Sequence, residues 1–314
     1  MNATLSLCWL LSASAFLLSP TYADAQLGAE VWTSSAPLTV PRQEMPAVAL
    51  RGLIYVPAGF ELGQPSSTVE AFDPSTGRWM VVPPLPEARH HPSAAAVAGI
   101  LYVAGGYATR SMKEGTRTLF AYDPEARRWE TRAPMPTARG GAVAVAFEGR
   151  VYVFGGLSGG RPVGTNEVFD PVTDSWHIAA PMPTRREHLA AAVIGDQIFV
   201  VGGRTFDGNM SSLETYTPAT DSWEVLPEMP TARGGLAAAA VDGKLYAFGG
   251  ESSTMVFPHT EEYDPAQKRW RRVADMPTPR HGMGAVAVRD MIHVIGGGDR
   301  PGFGTVGVHE VFRP

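Results

Sequence analysis

The chain has 314 residues and a formal net charge of -5, which gives no indication of a basic surface of the kind that binds nucleic acid. Hydrophobic residues make up 44% and charged residues 18% of the sequence, a composition typical of a globular protein. The 34 glycines and 27 prolines fit a fold of many short strands joined by turns, and exclude a collagen-like or long-helical chain.

The N-terminal segment predicts export. An apolar run at residues 5–18 is too short to span a bilayer, and Ala23-Asp24-Ala25 after it is typical of a signal-peptidase site, although no Lys or Arg precedes the run. We interpret residues 1–25 as a signal peptide and residues 26–314 as one domain, periplasmic or secreted, with no membrane span after cleavage. The single cysteine, Cys8, lies in the apolar run, so we expect no disulfide in the mature chain.

A tryptophan recurs at steps of 47, 50, 47, 47 and 47 residues along the remaining chain. Glycine pairs such as Gly155-Gly156 and arginines keep the same step. A fixed period of this length predicts a propeller or a linear array of repeats. The six tryptophans are Trp32, Trp79, Trp129, Trp176, Trp223 and Trp270.

Each repeat predicts four antiparallel strands. The segment 143–156 shows the first two, since an apolar run, a Glu-Gly turn and a second apolar run are typical of a β-hairpin. A variable loop follows, then a third strand that ends in an aromatic-Asp-Pro turn, as at Phe169-Asp170-Pro171, and a fourth that carries the tryptophan. Four such strands make one propeller blade, with the small-residue first strand nearest the axis.

The two ends of the repeat region complement each other. Trp32 belongs to a fourth strand, but strands one to three of a repeat do not come before it. The segment 311–314 is a third strand, and no fourth strand of a repeat comes after it. We therefore predict an all-β, six-bladed propeller whose ring is closed by an N-terminal strand that completes the C-terminal blade. Closure of this kind removes exposed sheet edges.

The glycine pairs, the aromatic-Asp-Pro turns and the spaced tryptophans together resemble kelch repeats, over about residues 30–314. WD repeats are shorter and carry Trp-Asp, whereas Trp79 and Trp129 are followed by Met80 and Glu130. The resemblance implies a propeller that binds a partner through loops on one face. We expect a monomer that binds a protein or glycan partner, and the candidates include anionic partners.

One arginine per repeat precedes the first strand, on the face that carries the variable loops, and two interpretations remain open. A ring of guanidinium groups around the channel mouth could bind carboxylates. Alternatively, the arginines could pair inside the blades with glutamates that recur in every repeat except where Phe120 stands, at Glu70, Glu167, Glu214, Glu261 and Glu310. The candidate ligand-binding residues are Arg42, Arg89, Arg139, Arg186, Arg233 and Arg280.

The residues after these arginines differ between repeats and include candidates for acid–base chemistry, namely Glu44, His91, Glu187 and His188. The alternative is a set of scattered polar residues at a solvated rim. His91, His188 and His281 are predicted to lie on alternate blades, and we expect no metal site and no cofactor.

Two functions follow. The first is an exported binding module that holds a protein or an anionic ligand on the face that carries the variable loops and at the mouth of the central channel. The second is a carbohydrate-active enzyme similar to the kelch-type sialic acid mutarotases (N-acetylneuraminate epimerases), an inference from architecture alone. The sequence contains no nucleophile elbow or phosphate loop, which favours the non-enzymatic function.

Overall fold

The computed structural model describes Met1 and residues 30–314, so the proposed signal peptide and Cys8 lie outside the described residues. The described residues form six four-stranded antiparallel sheets and three short hairpins. Successive first strands pack side by side around one axis, which is the geometry of a six-bladed propeller. Within the same residues, no helix has the length and apolar character that crossing a membrane would require.

The strands follow the order of the repeats. Strand β1 (Val31–Ser34) comes first, and blade 1 contains β2 (Val48–Leu50), β3 (Leu53–Pro57), the hairpin β4 (Phe60–Glu61) and β5 (Gln64–Pro65), β6 (Val69–Asp73) and β7 (Arg78–Val81). Blade 2 contains β8 (Ser93–Val97), β9 (Ile100–Ala104), β10 (Leu119–Asp123) and β11 (Arg128–Arg132). Blade 3 contains β12 (Val143–Phe147), β13 (Arg150–Phe154), the hairpin β14 (Leu157–Ser158) and β15 (Arg161–Pro162), β16 (Asn166–Asp170) and β17 (Ser175–Ala179).

The second half repeats this plan. Blade 4 contains β18 (Ala190–Ile194), β19 (Gln197–Val201), the hairpin β20 (Arg204–Thr205) and β21 (Gly208–Asn209), β22 (Leu213–Thr217), a short 3-10 turn (Pro218–Thr220) and β23 (Ser222–Leu226). Blade 5 contains β24 (Ala237–Val241), β25 (Lys244–Phe248), β26 (Thr260–Asp264) and β27 (Arg269–Arg272). Blade 6 contains β28 (Gly284–Val288), β29 (Met291–Ile295) and β30 (His309–Arg313).

The ring closes as the sequence predicts. Strand β1 pairs antiparallel with β30, with Trp32 opposite Phe312, and becomes the outer strand of blade 6. The first and last described strands therefore share one sheet, and no blade among residues 30–314 lacks its fourth strand.

Small residues line the axis, and large ones fill the spaces between blades. The first strands are rich in alanine, as in β8 and β24, because six strands converge there and leave little room. Farther out, each tryptophan ring packs beside an aromatic residue of its own blade, such as Phe169 beside Trp176, at 5.2 Å between ring centroids. Six clusters of buried apolar side chains hold the blades together around the described ring.

The glycine pairs allow a close backbone approach between neighbouring blades. Gly105 has φ +64°, and a Cβ atom there would lie 2.4 Å from the backbone oxygen of Arg139 in the next blade. In blade 1 the pair is Ala58-Gly59, and Ala58 adopts φ 65° despite its side chain. The positive φ values bend the chain at the end of the second strand, where the loop to the third strand of the blade begins. We call the face that carries these loops the loop face.

Candidate functional site

The six repeated arginines lie inside the blades. Each is at most 1% exposed. Arg186 is typical, since its Nη1 lies 2.7 Å from Glu214 Oε2 and its Nη2 donates to the backbone oxygen of Val200 at 3.1 Å. Five of these arginines form such buried ion pairs: Arg42 with Glu70, Arg139 with Glu167, Arg186 with Glu214, Arg233 with Glu261 and Arg280 with Glu310.

Arg89 is the exception, at the repeat where phenylalanine replaces glutamate. Its guanidinium lies over the ring of Phe120, 5.6 Å from the centroid, and pairs with Glu87, whose side chain is 60% exposed. The other arginines bridge the lead-in to the first strand, the second strand and the third strand of one blade. These contacts are the structural pairs that the sequence analysis gives as its second interpretation. A ligand in the channel would have to break them to reach a guanidinium.

A ring of six residues surrounds the axis at the loop face, and we call it the axial ring. Each member lies two positions after a repeated arginine and has a positive φ between 52° and 65°. Each backbone N–H donates to the carbonyl oxygen of the corresponding residue in the preceding blade, at 2.6–3.0 Å, so the hydrogen bonds form a closed circle. The members are Glu44, His91, Gly141, His188, Gly235 and Gly282.

The three axial-ring members with side chains converge at one point. His91 Nε2 lies 2.9 Å from His188 Nε2 and 3.2 Å from Glu44 Oε2, and the distance from His188 Nε2 to Glu44 Oε2 is 3.8 Å. Both imidazoles are less than 10% exposed. The structure thus brings together three of the four acid–base candidates, Glu44, His91 and His188, and we call these three residues the cluster.

His281 occupies a different position in its repeat from His91 and His188. It immediately follows its arginine, as do His90 and Glu187, whereas His91 and His188 come one residue later. Its ring therefore approaches the cluster from outside the axial ring, with Nδ1 3.3 Å from Glu44 Oε1. The three histidines lie on alternate blades, but His281 is not a member of the axial ring.

Two residues of the site were absent from the sequence analysis. Arg204 donates through Nε to Glu187 at 2.7 Å and through Nη1 to Glu251 at 2.9 Å, and Glu187 in turn contacts Nδ1 of His188. Arg204 and Glu251 both directly follow a glycine pair. That position joins the second strand to the loop that follows it on the loop face. The residue there differs between repeats, and this variation is the sequence signal that could have identified Arg204 and Glu251.

A cavity of about 150 Å³ lies along the axis beneath the cluster. Its wall is formed by the axial ring and by the first residues of the six inner strands, among them Ala94, Ala144 and Ala238. The cavity is therefore polar at the loop face and apolar deeper in the channel. A group bound at the cluster would face this cavity.

Models of kelch repeats match most of the chain. The KLHDC2/KLHL20/DRC7 kelch-repeats domain matches residues 84–224 and 177–298, and the kelch motif matches residues 41–86. The chain belongs to the kelch-repeat family. The solved structure of YjhT superposes on this kelch propeller with a TM-score of 0.76 and 15% identity, over 87% of this chain and 96% of that one, which supports the fold alone.

Similar sequences include kelch proteins of plants and animals. An F-box/kelch-repeat protein of Arabidopsis thaliana is 35% identical over 71 residues, which are 23% of this kelch propeller and 17% of that protein. Kelch-like protein 35 of Mus musculus is 36% identical over 75 residues, which are 24% and 13% of the two chains. The matched segments span less than a fifth of these curated relatives.

The buried position of the cluster sets its protonation. Burial lowers the pKa of His91 to about 3 and that of His90 to about 4, so both rings are neutral at pH 7. Burial alone would raise the pKa of Glu187, but His188 and Arg204 outweigh it and lower that pKa to about 2. Burial would likewise raise the pKa of Glu44, yet the imidazoles of His91 and His281 hold it well below its usual value.

The charge of the channel mouth favours a cation. The cluster and the described residues that contact it contain three carboxylates and one guanidinium. The carboxylates are those of Glu44, Glu187 and Glu251, and the guanidinium is that of Arg204. Burial lowers the pKa of His281, but hydrogen bonding and attraction to Glu44 outweigh it, so the pKa is raised overall. Even with His281 protonated, negative groups outnumber positive ones.

Large apolar side chains stand at the tips of the loops around this mouth. In five of the six blades, the loop between the second and third strands carries one that is 39–90% exposed. These five loop-tip residues are Leu62, Met112, Phe206, Met255 and Phe303.

Proposed function

We propose that this kelch propeller is a binding module that holds a segment of a protein partner on its loop face. The observation that supports the proposal is the position of the five loop-tip residues. Large apolar side chains exposed together on one face of a protein mark interaction sites, and aromatic residues such as Phe206 and Phe303 are frequent energetic anchors in them.

The charges beside the loop tips indicate the chemistry of the partner. The loops of blades 2 and 3 carry the exposed cations Arg110, Lys113, Arg117 and Arg161, against the single acid Glu114. A complementary segment would contain apolar side chains for the loop tips and acidic side chains for this side of the rim. This form of the proposal keeps an anionic partner, but places it on the loops and not on the buried arginines.

The experiment is a selection of binding peptides from a random display library on the purified propeller. We expect the recovered peptides to combine aromatic or aliphatic residues with Asp or Glu. Their affinity should fall at least tenfold for the variant Leu62→Ser/Phe206→Ser/Phe303→Ser. The matched control is Val172→Ser, which removes a side chain that is 93% exposed at a turn on the opposite face. Equal binding of the selected peptides to all three proteins would contradict the proposal.

A sialic acid mutarotase is the alternative enzymatic proposal, and the pairing of Glu187 with His188 is the observation in its favour. An acidic sugar would, however, bring its carboxylate towards Glu44, Glu187 and Glu251. Anomer exchange of N-acetylneuraminate, followed by NMR with and without the protein, tests it, and an accelerated exchange lost in Glu187→Gln would support it. Action outside the cytoplasmic membrane is also a proposal, based on the N-terminal sequence alone.

A further inference from the structure

The hydrogen-bond partners of His90 and His91 identify which nitrogen of His91 carries a proton. His90 Nε2 lies 2.6 Å from the carbonyl oxygen of Thr109, which accepts but cannot donate, so His90 Nε2 is the protonated nitrogen of that neutral ring. His90 Nδ1 is then an acceptor, and His91 Nδ1, 2.6 Å away, must donate to it. Stacking of the His90 ring on Phe60, at 3.9 Å between centroids, fixes this orientation. His91 Nε2 is left with a lone pair directed into the cluster.

The same reasoning applies to His188. Its Nδ1 contacts the carboxylate of Glu187, which accepts, so this nitrogen carries a proton; its Nε2 lies 3.0 Å from Nη2 of Arg204, which can only donate, so Nε2 carries a lone pair. Two imidazole lone pairs and one carboxylate oxygen, from Glu44, therefore meet within 4 Å of one another. Of these three acceptors, His188 Nε2 has a donor beside it, Nη2 of Arg204 at 3.0 Å, and a cation between the three would satisfy all of them.

The spacing of the three atoms matches zinc coordination. Bonds from Zn²⁺ to histidine nitrogen and carboxylate oxygen are about 2.0–2.2 Å long, so neighbouring ligand atoms in a tetrahedral site lie about 3.3–3.6 Å apart. The observed separations of 2.9, 3.2 and 3.8 Å bracket that range. In zinc sites the ligating histidine usually donates its other N–H to a carboxylate or a carbonyl. His188 does so directly to Glu187, and His91 does so to the Thr109 carbonyl through His90.

The backbone gives an independent indication of function. All six axial-ring residues are in the left-handed region, and three blades use glycine there, which adopts this conformation without steric cost. Glu44, His91 and His188 adopt it with side chains, at a cost that tends to be retained where it serves a function. The side chains that converge are therefore those of the three strained ring members.

Two of the glycines also make room for these side chains. A Cβ atom at Gly282 would lie 2.4 Å from Glu44 Oε1, and one at Gly141 would lie 3.3 Å from His188 Nδ1. The side chains of Glu44 and His188 thus occupy space that a neighbouring glycine of the axial ring leaves.

We propose that Glu44, His91 and His188 form a binding site for one Zn²⁺ ion at the loop-face end of the channel, with its fourth coordination position open towards the axial cavity. The ion links blades 1, 2 and 4 across the axis. Soft thiolate ligands are absent from this set, and two imidazoles with one carboxylate suit zinc better than calcium or magnesium.

Arg204 has two roles in this arrangement. Its Nε and Nη1 hold Glu187 and Glu251, which keeps Glu187 against His188. Its Nη2 lies 3.0 Å from His188 Nε2 and would donate to that lone pair in the absence of a metal ion. Because a guanidinium is a rigid plane, binding of Zn²⁺ at His188 Nε2 requires the guanidinium of Arg204 to shift as a whole away from that nitrogen.

The test is calorimetric titration of the tag-free, chelator-treated protein with ZnSO₄, accompanied by visible spectra after addition of Co²⁺. We expect one ion per chain and the d–d absorption of a tetrahedral or five-coordinate Co²⁺ ion. His91→Gly and His188→Gly should each weaken zinc binding more than about 100-fold, and Glu187→Gln about 10- to 100-fold, as loss of an outer-shell partner does. Because glycine occupies the same position in three other blades, both glycine variants should fold.

The control variant is His259→Gln, which removes a partly exposed loop-face imidazole remote from the cluster. It should leave zinc binding unchanged. Zinc binding that persists in both glycine variants would assign the ion to another surface site and overturn the proposal. An absence of heat and of Co²⁺ absorption in the parent protein would also overturn it, and would indicate that a proton bridges the three acceptors. Neither result depends on whether the loop face binds a protein.

Discussion

Trp32 donates its indole N–H to the carbonyl oxygen of Ala274, 2.9 Å away and 242 residues further along the chain. The same bond joins each tryptophan of the repeat to the outer part of the preceding blade, as in Trp176 to Ala133 at 2.8 Å. At Trp32 it also closes the ring, because this residue lies on β1 and packs against Phe312 and Phe248.

Replacement of Trp32 by alanine tests the closure. The change removes the hydrogen bond and the aromatic contacts between blades 5 and 6, so we expect a loss of about 3 kcal/mol in the free energy of unfolding. Urea unfolding followed by circular dichroism measures this loss. The control is Val31→Ser, which alters a 45% exposed residue of the same strand and should change stability by less than about 0.5 kcal/mol. If the two variants unfold at the same urea concentration, β1 does not close the ring.

The buried ion pairs give a second prediction. Glu214→Gln keeps the size of the side chain but leaves the guanidinium of Arg186 without its counter-charge inside blade 4. Removal of one partner of a buried pair costs about 3–5 kcal/mol, and we expect a loss of that size. Glu87→Gln changes the exposed partner of Arg89 and should cost less than about 1 kcal/mol. Thermal unfolding of the two variants distinguishes them, and similar losses would contradict a structural role for the buried pairs.

The repeat explains how much of this structure could be predicted. Periodic residues such as the tryptophans and the glycine pairs identify the blades, because each copy occupies the same place in its blade. The number of copies gives the number of blades. The convergence of Glu44, His91 and His188 depends instead on residues that differ between copies. Their common backbone position, two residues after the arginine, is visible in the sequence. The directions of their side chains are set by contacts with distant residues, such as Glu187 and His90, and periodicity carries no information on these.

Gly282 provides a third prediction. A Cβ atom there would overlap the carboxylate of Glu44, and the residue has φ +57°. Gly149 also has a positive φ, +75°, but a Cβ atom there would have no neighbour within 4 Å, so Gly149→Ala measures backbone strain alone. We expect Gly149→Ala to cost about 1–2 kcal/mol and Gly282→Ala to cost clearly more, because Glu44 must also move. Chemical unfolding compares the two, and equal losses would show that Glu44 does not need this space.

A fourth prediction concerns acid. His293 and His309 are buried together in blade 6, with Nδ1 of His293 2.8 Å from Nε2 of His309, and His309 packs edge-on against Phe72. Burial lowers the pKa of His293 to about 4 and that of His309 to about 3, the second further lowered by the proximity of His293. In the unfolded chain both histidines would titrate near pH 6.5.

The direction in which stability changes with pH follows from the protons that the chain takes up on unfolding. Between pH 6.5 and 4 the unfolded state binds protons that the folded state does not, so each histidine should reduce the free energy of unfolding by about 1.4 kcal/mol per pH unit as pH falls. The contribution of the two neutral histidines to the free energy of unfolding is fully present above pH 6.5. It stops changing once the pH has fallen below their folded-state pKa values. The variant His293→Phe/His309→Leu carries residues found at the same positions of other blades, at Phe199 and Leu213. Its stability, measured by urea unfolding from pH 7 to pH 4, should fall less steeply than that of the parent protein. Parallel curves would show that these histidines do not remain neutral in the folded state.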